Sequence, residues 1–325
     1  GGGLNPNVGL DPKNPIYPDN AAFRSLMSEL GVIFAPNVVM PAATRGYGGF
    51  NFSMELGLTS VNPKNTANAN TAKTATTPPE HYYWRAAESV SSMAFANGNI
   101  RTPEAIARME QELPPTFAST LTVMARKGLW FPVPSFELGA GLRYLMGSKL
   151  CAAVVSAKLA LHEGFQGWPL PAAAIRGTVS HVFGTSDYHL SVGAADFSLS
   201  KHFGVASTFN LTPYAGYQFL WILASSEVVD ATPGVDAFGE GSAGKPVSDL
   251  TKCAHFDCNA YFAFDPQLDI LRHRVFLGLR ANFYFASLML EYSYFLAGRS
   301  NNFQNGTEDE SGAQHTIGLS LAVDY

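Results

Sequence analysis

The sequence predicts an all-β protein, a transmembrane antiparallel up-and-down β-barrel of 10 to 12 strands, and three observations carry that prediction. Only 14 % of the 325 residues are charged while 46 % are hydrophobic, against about 25 % charged in ordinary soluble domains. Aromatic residues are abundant, with 23 Phe, 13 Tyr and 4 Trp. Apolar residues alternate with small or polar ones along segments of about ten residues, as strands do when one face meets hydrocarbon and the other a lumen. No apolar run reaches the length of about 18 residues that a membrane helix needs. The longest charge-free stretch, Phe203 to Ser226, is broken by Ser207, Thr208, Asn210, Pro213 and Gln218. A net charge of −5 without any Lys/Arg block excludes a nucleic-acid partner.

The strands follow in order. Phe50, Phe52, Met54, Leu56 and Leu58 lie on one parity, with Asn51, Ser53, Glu55 and Gly57 on the other. Thr116 to Gly128 alternates less regularly. Phe136, Leu138, Ala140, Leu142 and Tyr144 then oppose Glu137, Gly139, Gly141 and Arg143. Leu150 to Glu163 and Ala172 to Phe183 follow, and Tyr188 to Ser200 changes parity near Ala194-Ala195, as a β-bulge would make it do. Phe209 to Leu223 carries Tyr217, Phe219 and Trp221 outward, and Ile270 to Arg280 comes next. From Tyr284 to Leu296, Leu288, Leu290 and Tyr292 oppose Ser287, Met289, Glu291 and Ser293. His315 to Tyr325 sets Ile317, Leu319, Leu321 and Val323 against Thr316, Gly318, Ser320 and Ala322. These make ten strands, and adding Leu26 to Val39 and Tyr82 to Phe95 would make twelve. A soluble sandwich also alternates, but its polar parity faces water and is rich in Lys, Glu and Thr. Here that parity is rich in Gly, Ala and Ser, which suits a crowded interior, while the apolar face would aggregate in water unless covered.

The last strand, with Leu319, Leu321, Val323 and the terminal aromatic Tyr325 on one face, resembles the C-terminal assembly signal of bacterial outer-membrane proteins. The segment Leu211-Thr212-Pro213-Tyr214-Ala215-Gly216-Tyr217 is similar to a strand opening found in several outer-membrane families, fatty-acid channels among them. The resemblance is to the class and not to one family. It implies a bacterial outer-membrane location, with membrane lipid, lipopolysaccharide and the barrel-assembly machinery as partners, and envelope proteins as further candidates. Gly1-Gly2-Gly3 opens the chain without a Met or an apolar h-region, so the expectation is export by a signal that this chain does not carry.

Barrels of this class have short periplasmic turns and longer extracellular loops. Counting back from Tyr325 makes Arg299 to Gln314 an outer loop, Ala281 to Phe283 a periplasmic turn and Glu227 to Asp269 a long outer loop. Ser60 to Pro115 becomes another. That segment holds a low-complexity stretch, Thr66 to Thr77, and a short loop helix over Ala105 to Leu113. Thr102-Pro103-Glu104 opens that helix with a cap, an N1 proline and an early acid. Both termini are expected in the periplasm. Residues 1–25, with Pro6, Pro12, Pro15 and Pro18, read as an arm that lies in the periplasm or folds into the lumen as a plug, and residues 26–325 as the barrel.

Projecting the parity inward gives Glu55, Glu137, Asp196, Glu291 and Asp324 as lumen acids, and Arg126, Arg143, Lys158, Arg176, Arg272, Arg274 and Arg280 as lumen bases. An unpaired ion in a narrow interior is costly, so these read first as a salt-bridge network filling the lumen. The excess of bases, with Arg272, Arg274 and Arg280 on one strand, also suits a conduit for anionic solutes. Three functions are open. The first is a narrow channel or binding barrel for small solutes. The second is a structural or interaction barrel that anchors an envelope or cell-surface assembly through its long loops or periplasmic arm. The third is a hydrophobic-ligand transporter, motivated by inward Tyr214, Leu220, Ile222, Phe276 and Met289.

Cys253 and Cys258 are a candidate loop disulfide. The pattern Cys253-x-His255-x-x-Cys258 carries zinc-type ligands, but an exported loop is oxidising, so no metal and no cofactor are expected. Cys151 reads as a small outward hydrophobe. Glu308-Asp309-Glu310 reads as a solvated loop. Asp187 with His189 lies at a strand end, where outer-membrane hydrolases keep such pairs, but no catalytic motif accompanies it and no enzyme activity is expected.

Overall fold

Alternation of this kind closes on itself when each strand finds a neighbour on both sides. The computed structural model describes residues 20–61, 117–130, 135–164, 170–206, 209–230 and 261–325. Ten strands form the wall: β1 (Phe50–Ser60), β2 (Phe117–Leu129), β3 (Phe136–Leu145), β4 (Cys151–His162), β5 (Ala172–Phe183), β6 (Tyr188–Ser200), β7 (Phe209–Ser226), β8 (Gln267–Phe283), β9 (Ala286–Phe295) and β10 (Gln314–Asp324). Each pairs antiparallel with its neighbours in sequence, and β10 pairs with β1 from Asn51↔Asp324 to Thr59↔Thr316, so the barrel has no free edge. A short strand, Phe203–Ala206, adds to the base of β7, and Val229–Asp230 pairs with Tyr261–Phe262 beyond the wall. The barrel is therefore ten-stranded, and of the two segments that would have made twelve, Tyr82 to Phe95 lies outside the described residues. So do Cys253, Cys258, Thr66 to Thr77, the expected helix at Ala105 to Leu113 and residues 1–19.

The outward parity is apolar on every strand. Leu56, Leu142, Val155, Val179, Leu277, Leu290 and Leu321 all project from it, with Leu277 and Leu321 each 60 % exposed. Soluble monomers do not leave an apolar surface of that extent in water, and the wall is that of a transmembrane barrel. Aromatics gather at both rims: Tyr144, Trp221 and Tyr292 towards the long loops, and Trp130, Phe203, Phe283, Tyr284 and Phe285 towards the short turns. Among the described residues no helix is long and apolar enough to cross a membrane.

Three expectations need correction. The turn between β8 and β9 is Tyr284-Phe285, because Asn282 and Phe283 still pair with Ser287 and Ala286. β6 has no bulge: its pairing with β5 and β7 runs one-to-one through Ala194 and Ala195. Leu190, Val192, Asp196 and Ser198 all face inward, so what changes along β6 is the chemistry of the interior and not the parity. Leu26 to Val39 is not a strand. Helix α1 spans Asn20–Phe34 inside the barrel, and the segment from Ala35 to Gly49 then runs down the lumen into β1. The division drawn at residues 25 and 26 falls within this helix.

Candidate functional site: a lumen occupied by its own chain

Helix α1 lies in the loop-side half of the lumen. Its apolar residues Phe23, Met27, Leu30, Ile33 and Phe34 recur at helical spacing, and every residue from Ala22 to Phe34 is buried. The wall around it is apolar, with Val182, Leu190, Val192, Leu220, Ile222 and Ile270 in one cluster with the helix. Gly31 is required by close approach: a Cβ there would lie 2.5 Å from Ile222 Cδ1. The first turns are tied to the loop-side mouth. The Asn20 amide donates to Asp265 (2.9 Å) and accepts from the Asp265 N–H (2.9 Å), and Phe23 stacks on Phe264 at 4.4 Å. Arg24 reaches Asp269 (2.6 Å) and Gln267 (2.8 Å), and Ser28 donates to Asp309 (2.7 Å). Asp309 is buried, so the acidic run Glu308-Asp309-Glu310 is not wholly a solvated loop.

The last carbonyls of a helix have no partner within it. Here the wall supplies them. Phe34 O accepts from Ser180 Oγ (3.0 Å), Ala35 O from Arg143, Pro36 O from Arg274 (3.0 Å) and Val38 O from Arg176 (2.9 Å). Glu291 accepts the N–H groups of Val38 (3.3 Å) and Val39 (2.6 Å), with the Tyr214 hydroxyl at 3.1 Å. These bonds hold Val39 at φ 30°, a conformation that a β-branched residue rarely adopts. Gly57 and Gly318 are direct partners across β1 and β10, and the Asn37 amide sits against both: a Cβ on them would lie 3.0 and 3.5 Å from Asn37 Nδ2.

Further down, Ala42 N–H donates to Ser200 (3.0 Å), Lys158 donates to Ala43 O (3.1 Å), and Thr44 N–H donates to Glu163 (2.9 Å). Arg45 pairs with Asp324 at the turn-side mouth, where Arg280 also binds Asp324. Burial first, and then the like charge of Arg280, lowers the Arg45 guanidinium to about 10, which leaves it charged at neutral pH.

All twelve side chains of the predicted lumen set project inward. Arg126 pairs with Glu55 (2.6 Å), Lys158 with Glu137 (3.3 Å), and Arg176 with Asp196 (3.0 Å). Arg272 donates to Ser28 (2.9 Å) and Ser311 on the helix side. Arg274 lies 5.1 Å from the Phe295 ring centroid and 5.7 Å from that of Phe276, so ring faces meet part of its charge. What the sequence reading missed is the other half of these contacts: Arg24, Asn37, Thr44, Arg45 and the backbone from Phe34 to Ala43.

Leu319, Leu321, Val323 and Tyr325 lie on the outward face of β10. Cys151 is a free, half-exposed thiol. His189 lies 3.0 Å from Glu227 at the loop-side rim, with both side chains more than half exposed. Among the described residues no three His, Cys, Asp or Glu side chains are grouped as a metal site would require.

The architecture defines a ten-stranded transmembrane β-barrel with its own N-terminal segment in the lumen. No protein-family model and no curated protein sequence matches the chain. Solved structures with some likeness are bacterial outer-membrane barrels. OmpT of Vibrio cholerae is 12 % identical over 64 % of this chain and 60 % of its own, with a TM-score of 0.26. Ail of Yersinia pestis is 8 % identical over 86 % and 99 %, with a TM-score of 0.23. Omp33 of Acinetobacter baumannii is 7 % identical over 87 % and 100 %, with a TM-score of 0.25. This chain thus spans 60 % of the length of the Vibrio protein. Likenesses at this level carry no argument, and the class rests on the strand pairing and the apolar outer wall.

Proposed function

We propose that the protein is an outer-membrane barrel that works through its long-loop end, as an anchor or interaction barrel, with a lumen sealed by residues 20–49. The observation that supports this most is the ladder of contacts from Asn20 to Arg45, which engages inward-facing groups from one mouth to the other. It gives the surplus of lumen bases a use other than solute binding: Arg143, Arg176, Arg274 and Lys158 all donate to backbone carbonyls of the internal segment. In this reading the outer wall meets membrane lipid and lipopolysaccharide. The assembly machinery recognises the face carrying Leu319, Leu321, Val323 and Tyr325, and envelope or surface proteins dock on the loops.

Single-channel recording in planar bilayers tests the sealed lumen. Folded, heat-modifiable protein is expected to give no discrete steps, and an Arg274→Glu variant that folds with its plug loosened is expected to give some. Discrete ion-selective steps from the unaltered protein would overturn the sealed barrel and restore the narrow channel for small anionic solutes.

A further inference from the structure

The direction in which the internal segment runs has a topological meaning. Asn20 is bonded to Asp265, next to the start of β8 at the loop-side mouth. Ser28 meets Asp309 in the loop between β9 and β10, and Val39 meets Glu291 midway along β9. Arg45 meets Asp324 at the end of β10, at the turn-side mouth. The chain therefore descends the lumen from the long-loop end to the short-turn end and enters β1 there. Polypeptide preceding Asn20 reaches the barrel from the long-loop side. It has no way back through the lumen, because every side chain of α1 from Ala22 to Phe34 is buried all round the helix. Polar positions such as Arg24, Ser28 and Glu29 are as buried as the apolar ones, so no gap beside the helix is wide enough for a second strand of chain. The wall offers no exit either, since the ten strands pair continuously around the barrel.

We infer that this barrel presents its own N-terminal chain at the cell surface, beside the loops that join β1 to β2 and β7 to β8. The two ends of the chain then lie on opposite sides of the membrane, with Tyr325 at the turn side and the N-terminus outside. This departs from the expectation that both termini lie in the periplasm. Anything joined in front of Asn20 is displayed on the same face as the loops. The inference rests on the outer-membrane placement with the long loops outward, and it is independent of whether the lumen conducts.

Cysteine labelling in intact cells tests it, in a background with Cys151, Cys253 and Cys258 changed to Ser. Three single sites are compared with a membrane-impermeant maleimide: Asn20→Cys, Met146→Cys in the loop-side turn between β3 and β4, and Tyr284→Cys in the turn between β8 and β9. Met146 and Tyr284 are 50 % and 69 % exposed, so both report freely. The expected result is labelling of Asn20→Cys and Met146→Cys in intact cells, and of Tyr284→Cys only after the outer membrane is permeabilised. An epitope tag inserted before Asn20, which leaves the Asn20–Asp265 contact in place, is expected to bind antibody on intact cells. A tag and an Asn20→Cys site that report only after permeabilisation, while Met146→Cys labels in intact cells, would overturn the inference. Labelling of Tyr284→Cys in place of Met146→Cys would instead overturn the orientation on which it rests.

Discussion

Around helix α1 the inward wall is Leu190, Val192, Leu220 and Ile222, whereas around the extended segment below it the inward wall is Arg143, Arg176, Arg274 and Glu291. The two halves of one lumen are filled by consecutive pieces of one chain, yet they demand opposite chemistry. A helix satisfies its backbone groups internally except at its ends, so the wall beside it can be apolar. An extended segment has no neighbour strand in the lumen, so each buried N–H and C=O must find a side chain. Charged residues do this well, because hydrogen bonds involving an ion are roughly twice as strong as neutral ones. The polarity of a barrel interior thus reports the conformation of what fills it.

The sharpest way to break this contrast is to remove a charge from the turn-side half. Glu291→Ala leaves the Val38 and Val39 N–H groups and the Tyr214 hydroxyl without their acceptor. The expected loss is about 3–5 kcal/mol, as for other buried charges deprived of a partner. Urea unfolding of protein folded in vesicles measures it, and a loss under about 1 kcal/mol, the range of exposed ion pairs, would contradict the account. In the loop-side half the corresponding test is steric. Gly31→Ala is expected to cost about 1–3 kcal/mol through overpacking against Ile222, against a gain in helix propensity of up to about 1 kcal/mol. Adding Ile222→Ala should recover part of the loss, and a double variant no more stable than the Gly31→Ala single would show that the two residues do not meet. The smallest effect lies outside both halves. His189→Ala removes a contact to Glu227 that is exposed on both sides, and less than about 1 kcal/mol is expected at any pH.

The contrast also explains what could be read without coordinates. Strands were legible because one of their faces meets a uniform solvent: from Phe52 to Leu321 the outward parity is apolar whatever lies inside. The inward parity carried no such constancy. Along β6 the change from Asp196 and Ser198 to Leu190 and Val192 looked like a shift in register, when it marks the level at which the lumen filling turns from extended chain to helix. The helix itself was legible in principle. Phe23, Met27, Leu30 and Phe34 follow the 3.6-residue period, but a test for alternation alone passes over them. The arginine surplus was visible as a count, and its purpose was not, because backbone carbonyls leave no trace in a sequence. Asn37 and the facing pair Gly57 and Gly318 were silent for a similar reason, since glycines on an inward parity read as ordinary small residues.

Closure between the first and last strands has a consequence in time. Helix α1 is synthesised at the beginning of the described chain, and the seam that encloses it is completed only when β10 docks on β1. The helix must therefore be in place before the final strand arrives, or be drawn in as that strand zips up. Once the seam is shut, α1 can leave only by opening it or by sliding past the ties at both mouths. Its backbone amides should then exchange with solvent as slowly as those of the wall, because the helix and the seam open as one cooperative unit. The last residues made thus act as the bolt on the first.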